Sequence, residues 1–183
     1  MTTTDQAART TVLPHAHWHA ATEVRPGPAA IFDLDGVLAD AMHRQHFLHR
    51  ETPDWVSFYR DVHADAVIEA GRALLSCMRD DITVIILTAR VDEVAVVTRE
   101  WLIAQGLRFD LLVCRPPRED DDATVAVDYK RIEIARMLEW GIEPIVGIDD
   151  NRKIVDMYAE FGIPSVYFPS GYYDSSSRYD GGV

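Results

Sequence analysis

Five short apolar runs punctuate the chain, at Ala29–Phe32, Ile82–Leu87, Leu111–Cys114, Ile145–Ile148 and Ser165–Phe168. Each has the length of a buried strand and is apolar throughout, which predicts strands covered on both faces. Helical spacing fills the gaps. Val94, Val97, Trp101 and Ala104 share one face, with Asp92 placed to cap the start and Gly106 to end the helix. Ile132, Ala135 and Leu138 repeat that spacing before Gly141, and Ile154, Val155, Tyr158 and Phe161 do so before Gly162. Strands of this kind alternating with helices predict an α/β fold built on a parallel sheet with helices on both faces.

Residues 39–80 separate the first two strands by more than a simple crossover needs. They read as a helical insertion, with Trp55, Phe58, Tyr59 and Val62 on one stripe. An insertion there sits at the carboxyl ends of the strands, where open α/β sheets bind ligands, so it either covers a site or only adds packing surface. Residues 1–28 read as a flexible tail on composition, and so do residues 170–183. The alternating His15, His17 and His19 invite a metal, yet no carboxylate or thiolate stands near them in the sequence, which favours an ordinary polar tail. The domain proper is expected over residues 29–169, with no internal repeat.

With 183 residues, 48% of them hydrophobic and 26% charged, the chain has the make-up of a one-domain globular protein. Thirty Asp and Glu against 18 Lys and Arg give a formal charge of −12, which argues against a protein that coats nucleic-acid backbone. It leaves open an enzyme that grips one phosphate or one strand end. No run approaches the ~20 apolar residues of a membrane span. Cys77 and Cys114 are too few for a disulfide framework and read as buried apolar fillers, in a reducing cytoplasmic setting.

The candidate chemistry gathers at strand ends. The first strand runs into Asp33-Leu34-Asp35-Gly36, two carboxylates whose repulsion asks for a cation or a raised pKa, followed by a residue that allows a sharp turn. The fourth ends in Asp149-Asp150. Parallel strands bring these four acids together, and hard oxygen ligands of that kind suit Mg²⁺. The second strand ends in Thr88-Ala89-Arg90, a hydroxyl, backbone amides and a guanidinium at the same edge. Lys130 falls in the first turn of a helix, where its charge and the helix end favour an anion.

Asp33-Leu34-Asp35-Gly36, Thr88, Lys130 and Asp149-Asp150, in that order and context, resemble the four motifs of the haloacid dehalogenase-type phosphatases over about residues 29–170. Further details resemble the 3′-phosphatase domains of bacteriophage polynucleotide kinase-phosphatases. They are Arg44 nine positions after Asp35, Arg99-Glu100-Trp101-Leu102 ahead of a Gly, Val113-Cys114-Arg115, and the stretch from Val155 through Gly162 to Gly171. Two features depart from that pattern: Ala126 stands where an aspartate is expected, with Asp128 closer to Lys130, and the acidic run from Glu119 to Asp122 precedes it. No Gly-x-x-x-x-Gly-Lys-Ser/Thr occurs in these residues, so no kinase half is expected in them.

The resemblance implies a three-layer Rossmann-like fold, with a mostly parallel central sheet and a small cap after the first strand. It implies that Asp33 attacks phosphorus and that Asp35 serves as general acid and then base. Mg²⁺ would be held by Asp33, the Asp35 carbonyl and Asp149, with Asp150 tuning the shell. Thr88, the Ala89 amide and Lys130 would hold the phosphoryl oxygens, and Arg44 and Arg90 would contact substrate. The function implied is removal of 3′-phosphate from a DNA or RNA end. The alternatives are a phosphatase of free nucleotides or another small phosphorylated metabolite, and a non-catalytic binding module. The sequence identifies no protein partner.

Overall fold

The computed structural model describes residues 13–116 and 126–173. In chain order these contain β1 (Trp18–Ala20), β2 (Gly27–Phe32), β3 (Ala39–Asp40), α1 (Met42–Gln45), α2 (Trp55–Arg60), β4 (Ala66–Val67) and α3 (Glu69–Ser76). There follow β5 (Thr83–Val91), α4 (Ala95–Ala104), β6 (Leu111–Arg115), α5 (Ala126–Glu139), β7 (Ile142–Asp149), α6 (Arg152–Glu160) and β8 (Ser165–Tyr167). Six strands make one sheet in the order β1-β6-β5-β2-β7-β8, and β3 pairs with β4 apart from it. The pairings of β2 with β5 and β7, of β5 with β6 and of β7 with β8 are parallel. The expected mostly parallel sheet is therefore present, and β2, which carries Asp33 at its end, runs between β5 and β7.

Each face of the sheet has its own core. On one side Phe32, Ile86 and Leu112 pack with Leu75 of α3 and Trp101 and Leu102 of α4. On the other, Ile31, Ile85 and Val113 pack with Ile134 and Met137 of α5 and Met157 and Tyr158 of α6. Alternate residues of the central strands thus serve opposite cores, the period-2 rule applied to strands covered on both faces.

Two helices are rotated from the phase their apolar residues suggest. In α5, Ile132 and Leu138 are exposed, while Lys130 and Glu133 are fully buried beside Ile134 and Met137. The buried face carries paired charges, so hydrophobicity alone misplaces it. In α4 the buried set is Ala95, Thr98, Trp101 and Leu102. Asp92 does not cap that helix with its side chain; it opens a 3-10 turn over Asp92–Val94 and bonds His19 instead.

The insertion is less helical than expected, because the β3–β4 ladder closes it at the sheet end. The N-terminal stretch from residue 13 is part of the fold. There β1 pairs antiparallel with β6, and Trp18 buries its ring in the second core. At the other end Tyr172 donates its hydroxyl to Asp40 (3.0 Å) and accepts from the Ala41 amide (2.6 Å). Residues 1–12 and 174–183 of the two expected tails, and the acidic run from Glu119 to Asp122, lie outside the described residues. Cys114 is buried as expected; Cys77 is exposed at the end of α3, where its neighbours face solvent.

Candidate active site

Asp33 follows β2 directly, and its amide still donates to Ile148 of β7 (2.9 Å), so the nucleophile candidate is held by sheet pairing. The chain then turns through Gly36 at φ +85°. A side chain at that position would place its Cβ 2.1 Å from Oδ2 of Asp150, so the turn requires glycine on both conformational and steric grounds.

Asp33, Asp149 and Asp150 each offer an oxygen within 4.8 Å of the others. The ammonium of Lys130, fully buried on α5, lies 2.8 Å from Oδ1 of Asp33 and 2.8 Å from Oδ2 of Asp149. The other oxygen of Asp149 accepts from the amide of Asn151 (2.9 Å), whose own side chain caps α6. Neither oxygen of Asp150 finds a hydrogen-bond partner of ordinary geometry. Burial pushes Asp150 up to about 9, with the charges of Asp33 and Asp149 adding to it and Ser170 and Lys130 opposing. Burial likewise pushes Asp33 up to about 7, against the pull of Lys130. A buried carboxylate with two unpaired oxygens beside two others is costly unless a cation joins them. The donor set, hard oxygens from adjacent strand ends, fits a divalent ion such as Mg²⁺.

Asp35 faces a different neighbourhood. It accepts from Nη2 of Arg44 (2.5 Å) and from Nε and Nη2 of Arg90 (2.9 and 2.6 Å). Both guanidiniums also bind Asp65, which the insertion carries between its 3-10 turn and β4. Burial pushes the pKa of Asp35 up, but Arg44 and Arg90 outweigh it and hold the group at about 2. Two carboxylates one residue apart are thereby driven in opposite directions, a separation of roles that environment alone produces.

Arg44 and Arg90 are fully buried and turned toward Asp35 and Asp65. One donor of Arg44, Nη1, is buried without a hydrogen-bond partner, in a guanidinium that lies over the Phe58 ring at 4.1 Å. Thr88 and Ala89 are buried within β5, and the Thr88 hydroxyl accepts from the Arg90 amide (3.1 Å). Sequence reasoning missed Asp65, whose surroundings carry no motif. It also missed Thr98, which accepts from Nη1 of Arg90 (3.3 Å) in a position that reads as an ordinary helix threonine. Cys114 has its thiol pushed up to about 12 by burial and by Asp92, which suits a filler rather than a nucleophile.

Beside this centre opens a cavity of about 620 Å³ lined by Trp55, Tyr59, Arg60, Val91, Val94 and Arg115 among others. Val91 directly follows Arg90, and the burial-weakened Tyr59 hydroxyl, at about 12, feels the charge of Asp35. Trp55 and Tyr59 stack with centroids 5.8 Å apart.

The model of the polynucleotide kinase PNKP phosphatase domain family matches residues 27–173. The chain belongs to that family. This phosphatase-domain chain is thus a haloacid dehalogenase-like phosphatase, an enzyme that hydrolyses phosphoric monoesters. Comparison with curated proteins finds no match. Among solved structures, the chain is similar to one in a Pnkp1/Rnl/Hen1 complex, with TM-score 0.60 and 21% identity over 87% of this chain and 50% of the other. It therefore spans about half the length of that relative. A class C acid phosphatase from Bacillus anthracis, with tungstate bound, aligns with TM-score 0.56 and 13% identity over 82% of this chain and 69% of the other. A haloacid dehalogenase-like hydrolase from Streptococcus pneumoniae gives 0.51 and 15% over 78% and 84%. At these identities the structural likenesses speak for the fold. No helix among the described residues is long and apolar enough to cross a membrane.

Proposed function

We propose that this phosphatase domain removes the 3′-phosphate from nucleic-acid ends in a Mg²⁺-dependent reaction that passes through a phosphorylated Asp33. The observation that carries the reading is the family match over residues 27–173, which spans the strand-end carboxylates and the insertion beside them. A relative of the same fold comes from an RNA repair complex, which supports an RNA end as the first substrate to try.

In this mechanism an oxygen of Asp33 attacks phosphorus while the bond from phosphorus to the leaving ribose oxygen breaks. Asp35 gives its proton to that oxygen, then takes one from the water that attacks the aspartyl-phosphate, releasing Asp33 and inorganic phosphate. Asp33, Asp149 and the Asp35 carbonyl, with Asp150 beside them, would hold Mg²⁺, which would supply positive charge to offset that of the phosphoryl group. Lys130, the Thr88 hydroxyl and the Ala89 amide hold those oxygens, and the free Nη1 of Arg44 is a further donor toward substrate. Arg44 and Arg90 keep Asp35 ionised before substrate arrives. The phosphate's own negative charge then opposes the two guanidiniums and raises the proton affinity of Asp35, which takes up a proton from solvent or from the phosphate monoanion and so becomes the acid.

The cavity beside Arg90 takes the leaving group. Its aromatic wall suits a base by stacking, while Arg60 and Arg115 suit the next phosphodiester. The charge of −12 favours the second reading, a phosphatase of free nucleotides or a similar small metabolite, because a long polyanion is repelled outside the cleft. The two unpaired thiols fit the cytoplasmic setting expected from the sequence. A phosphate-release panel separates the readings: 3′-phosphorylated RNA and DNA oligonucleotides, the same oligonucleotides 5′-phosphorylated, and free 3′- and 5′-nucleotides. The proposal expects the highest kcat/KM on a 3′-phosphorylated oligonucleotide. Equal or better turnover of free nucleotides hands the function to the second reading.

A further inference from the structure

The strand β1 precedes the stretch that matches the family. On one face of the sheet Trp18 packs edge-on against Trp140 and donates from Nε1 to Glu133 (2.7 Å). His17 approaches the same carboxylate at 3.1 Å. On the other face the His19 ring meets Oδ1 of Asp92 at 2.6 Å, and the thiol of Cys114 from β6 joins them. A ring nitrogen of His19, a carboxylate oxygen of Asp92 and Sγ of Cys114 all lie within 4.8 Å of one another. The carboxylate and thiolate partners that sequence proximity denies the histidines are supplied by the fold.

We propose that His19, Asp92 and Cys114 form a second cation site, separate from the carboxylate centre, that takes a borderline-soft divalent ion of the Zn²⁺ kind. The argument is one of donor chemistry and of arrangement. Imidazole and thiolate together select against Mg²⁺ and for Zn²⁺, which accepts nitrogen, sulfur and carboxylate oxygen in one tetrahedral shell. Bonds of about 2.0–2.3 Å in such a shell set ligand atoms roughly 3.3–3.6 Å apart. From the spacing present, 2.6 Å for the His19–Asp92 pair and within 4.8 Å for the thiol, the pair must open by roughly 0.7 Å and the thiol close by up to about 1.3 Å. The thiol proton leaves to solvent on ligation, and the thiolate and Asp92 then neutralise the ion's two charges. The fourth position falls to water from the partly exposed His19 and Asp92 side, since Cys114 closes the other.

The consequence is mechanical. The three ligands come from β1, from β6 and from the turn that follows β5, so one ion joins the added strand to a segment two residues from Arg90. A three-residue edge strand is weakly held by its ladder alone, and a tie of this kind fixes both its register and the turn.

Co²⁺ tests this directly, because a cobalt–thiolate bond gives a near-ultraviolet charge-transfer band that oxygen ligands do not. The full chain is saturated with Mg²⁺ and titrated with Co²⁺ alone, then with Zn²⁺ alone as competitor. The expected result is one equivalent of Co²⁺ with a thiolate band, displaced by Zn²⁺. The band is lost in Cys114→Ser, unchanged in Cys77→Ser, and needs at least about tenfold more Co²⁺ in His19→Ala. The part-exposed position of His19 leaves the fold intact in that variant, which retained circular dichroism checks. Absence of a thiolate band, a band that depends on Cys77, or unaltered binding in His19→Ala would each overturn the site.

Discussion

Asp65 of the insertion accepts a hydrogen bond from Nη2 of Arg90 at the end of β5, with both side chains fully buried. Through that contact, and those it makes with Arg44, Asp65 sets the charge around Asp35 without touching Asp35 itself. Replacing Asp65 by Asn leaves two guanidiniums facing a single carboxylate. Asp35 is then held ionised still more firmly, and the general-acid step suffers first. We expect Asp65→Asn to lower kcat by at least about tenfold on alkyl phosphates, whose leaving oxygen needs a proton, and by much less on aryl phosphates. Equal losses on both would mean that Asp65 acts only through folding.

The ammonium of Lys130 contacts both Asp33 and Asp149. Lys130→Met leaves those buried carboxylates unpaired, a change that costs about 3–5 kcal/mol in comparable settings. The metal-free variant should melt well below the parent protein, Mg²⁺ should restore part of that loss, and turnover should stay at least about a hundredfold down. Parent-like melting without metal would show that the pair contributes little.

The crowded carboxylates also set a pH dependence. Asp33 at about 7 and Asp150 at about 9 lie above the ordinary 3.8, so the folded metal-free protein binds more protons than the unfolded chain across that window. Its stability therefore falls as pH rises from about 5 through 9. Asp35, at about 2, has the opposite sign, but its contribution is lost only in more acidic solution. Melting temperature measured from pH 5 to 9 should decline without metal and flatten with Mg²⁺. A metal-free protein equally stable at both ends would contradict the carboxylate assignment.

Gly36→Ala combines a positive φ with a collision against Asp150. The backbone alone costs about 1–2 kcal/mol, and the displaced carboxylate should weaken Mg²⁺ activation as well. Titrating activity with Mg²⁺ checks this: the half-activating concentration should rise at least about tenfold.

Much of this was legible before any coordinates. The five apolar runs mark strands of the sheet; those of β2, β5 and β6 are buried on both faces and have no room for alternation, while Ile145 of β7 and Val166 of the edge strand β8 are exposed. Asp33, Asp35, Asp149 and Asp150 stand out because acids at the ends of such runs are costly without a purpose. What stayed hidden follows from charge and distance. The buried face of α5 carries Lys130, which pairs with Asp33 and Asp149, and Glu133, which pairs with Trp18, His17 and Arg136. Apolar spacing therefore pointed to Ile132 and Leu138, which face solvent. Asp65 and Thr98 take their meaning from Arg90, 25 and 8 residues away. The partners of His19 are 73 and 95 residues off, beyond the reach of any local pattern.

The most direct test uses an oligonucleotide carrying a radiolabelled 3′-phosphate, mixed with Mg²⁺-loaded enzyme and quenched in acid within the first turnover. Aspartyl-phosphates survive acid long enough for the labelled peptide to be isolated. The account predicts label on the peptide containing Asp33, none in Asp33→Asn, and loss of the label as inorganic phosphate on longer incubation. Release of phosphate from the 3′-end with no label ever appearing on Asp33, or continued turnover by Asp33→Asn, would contradict it.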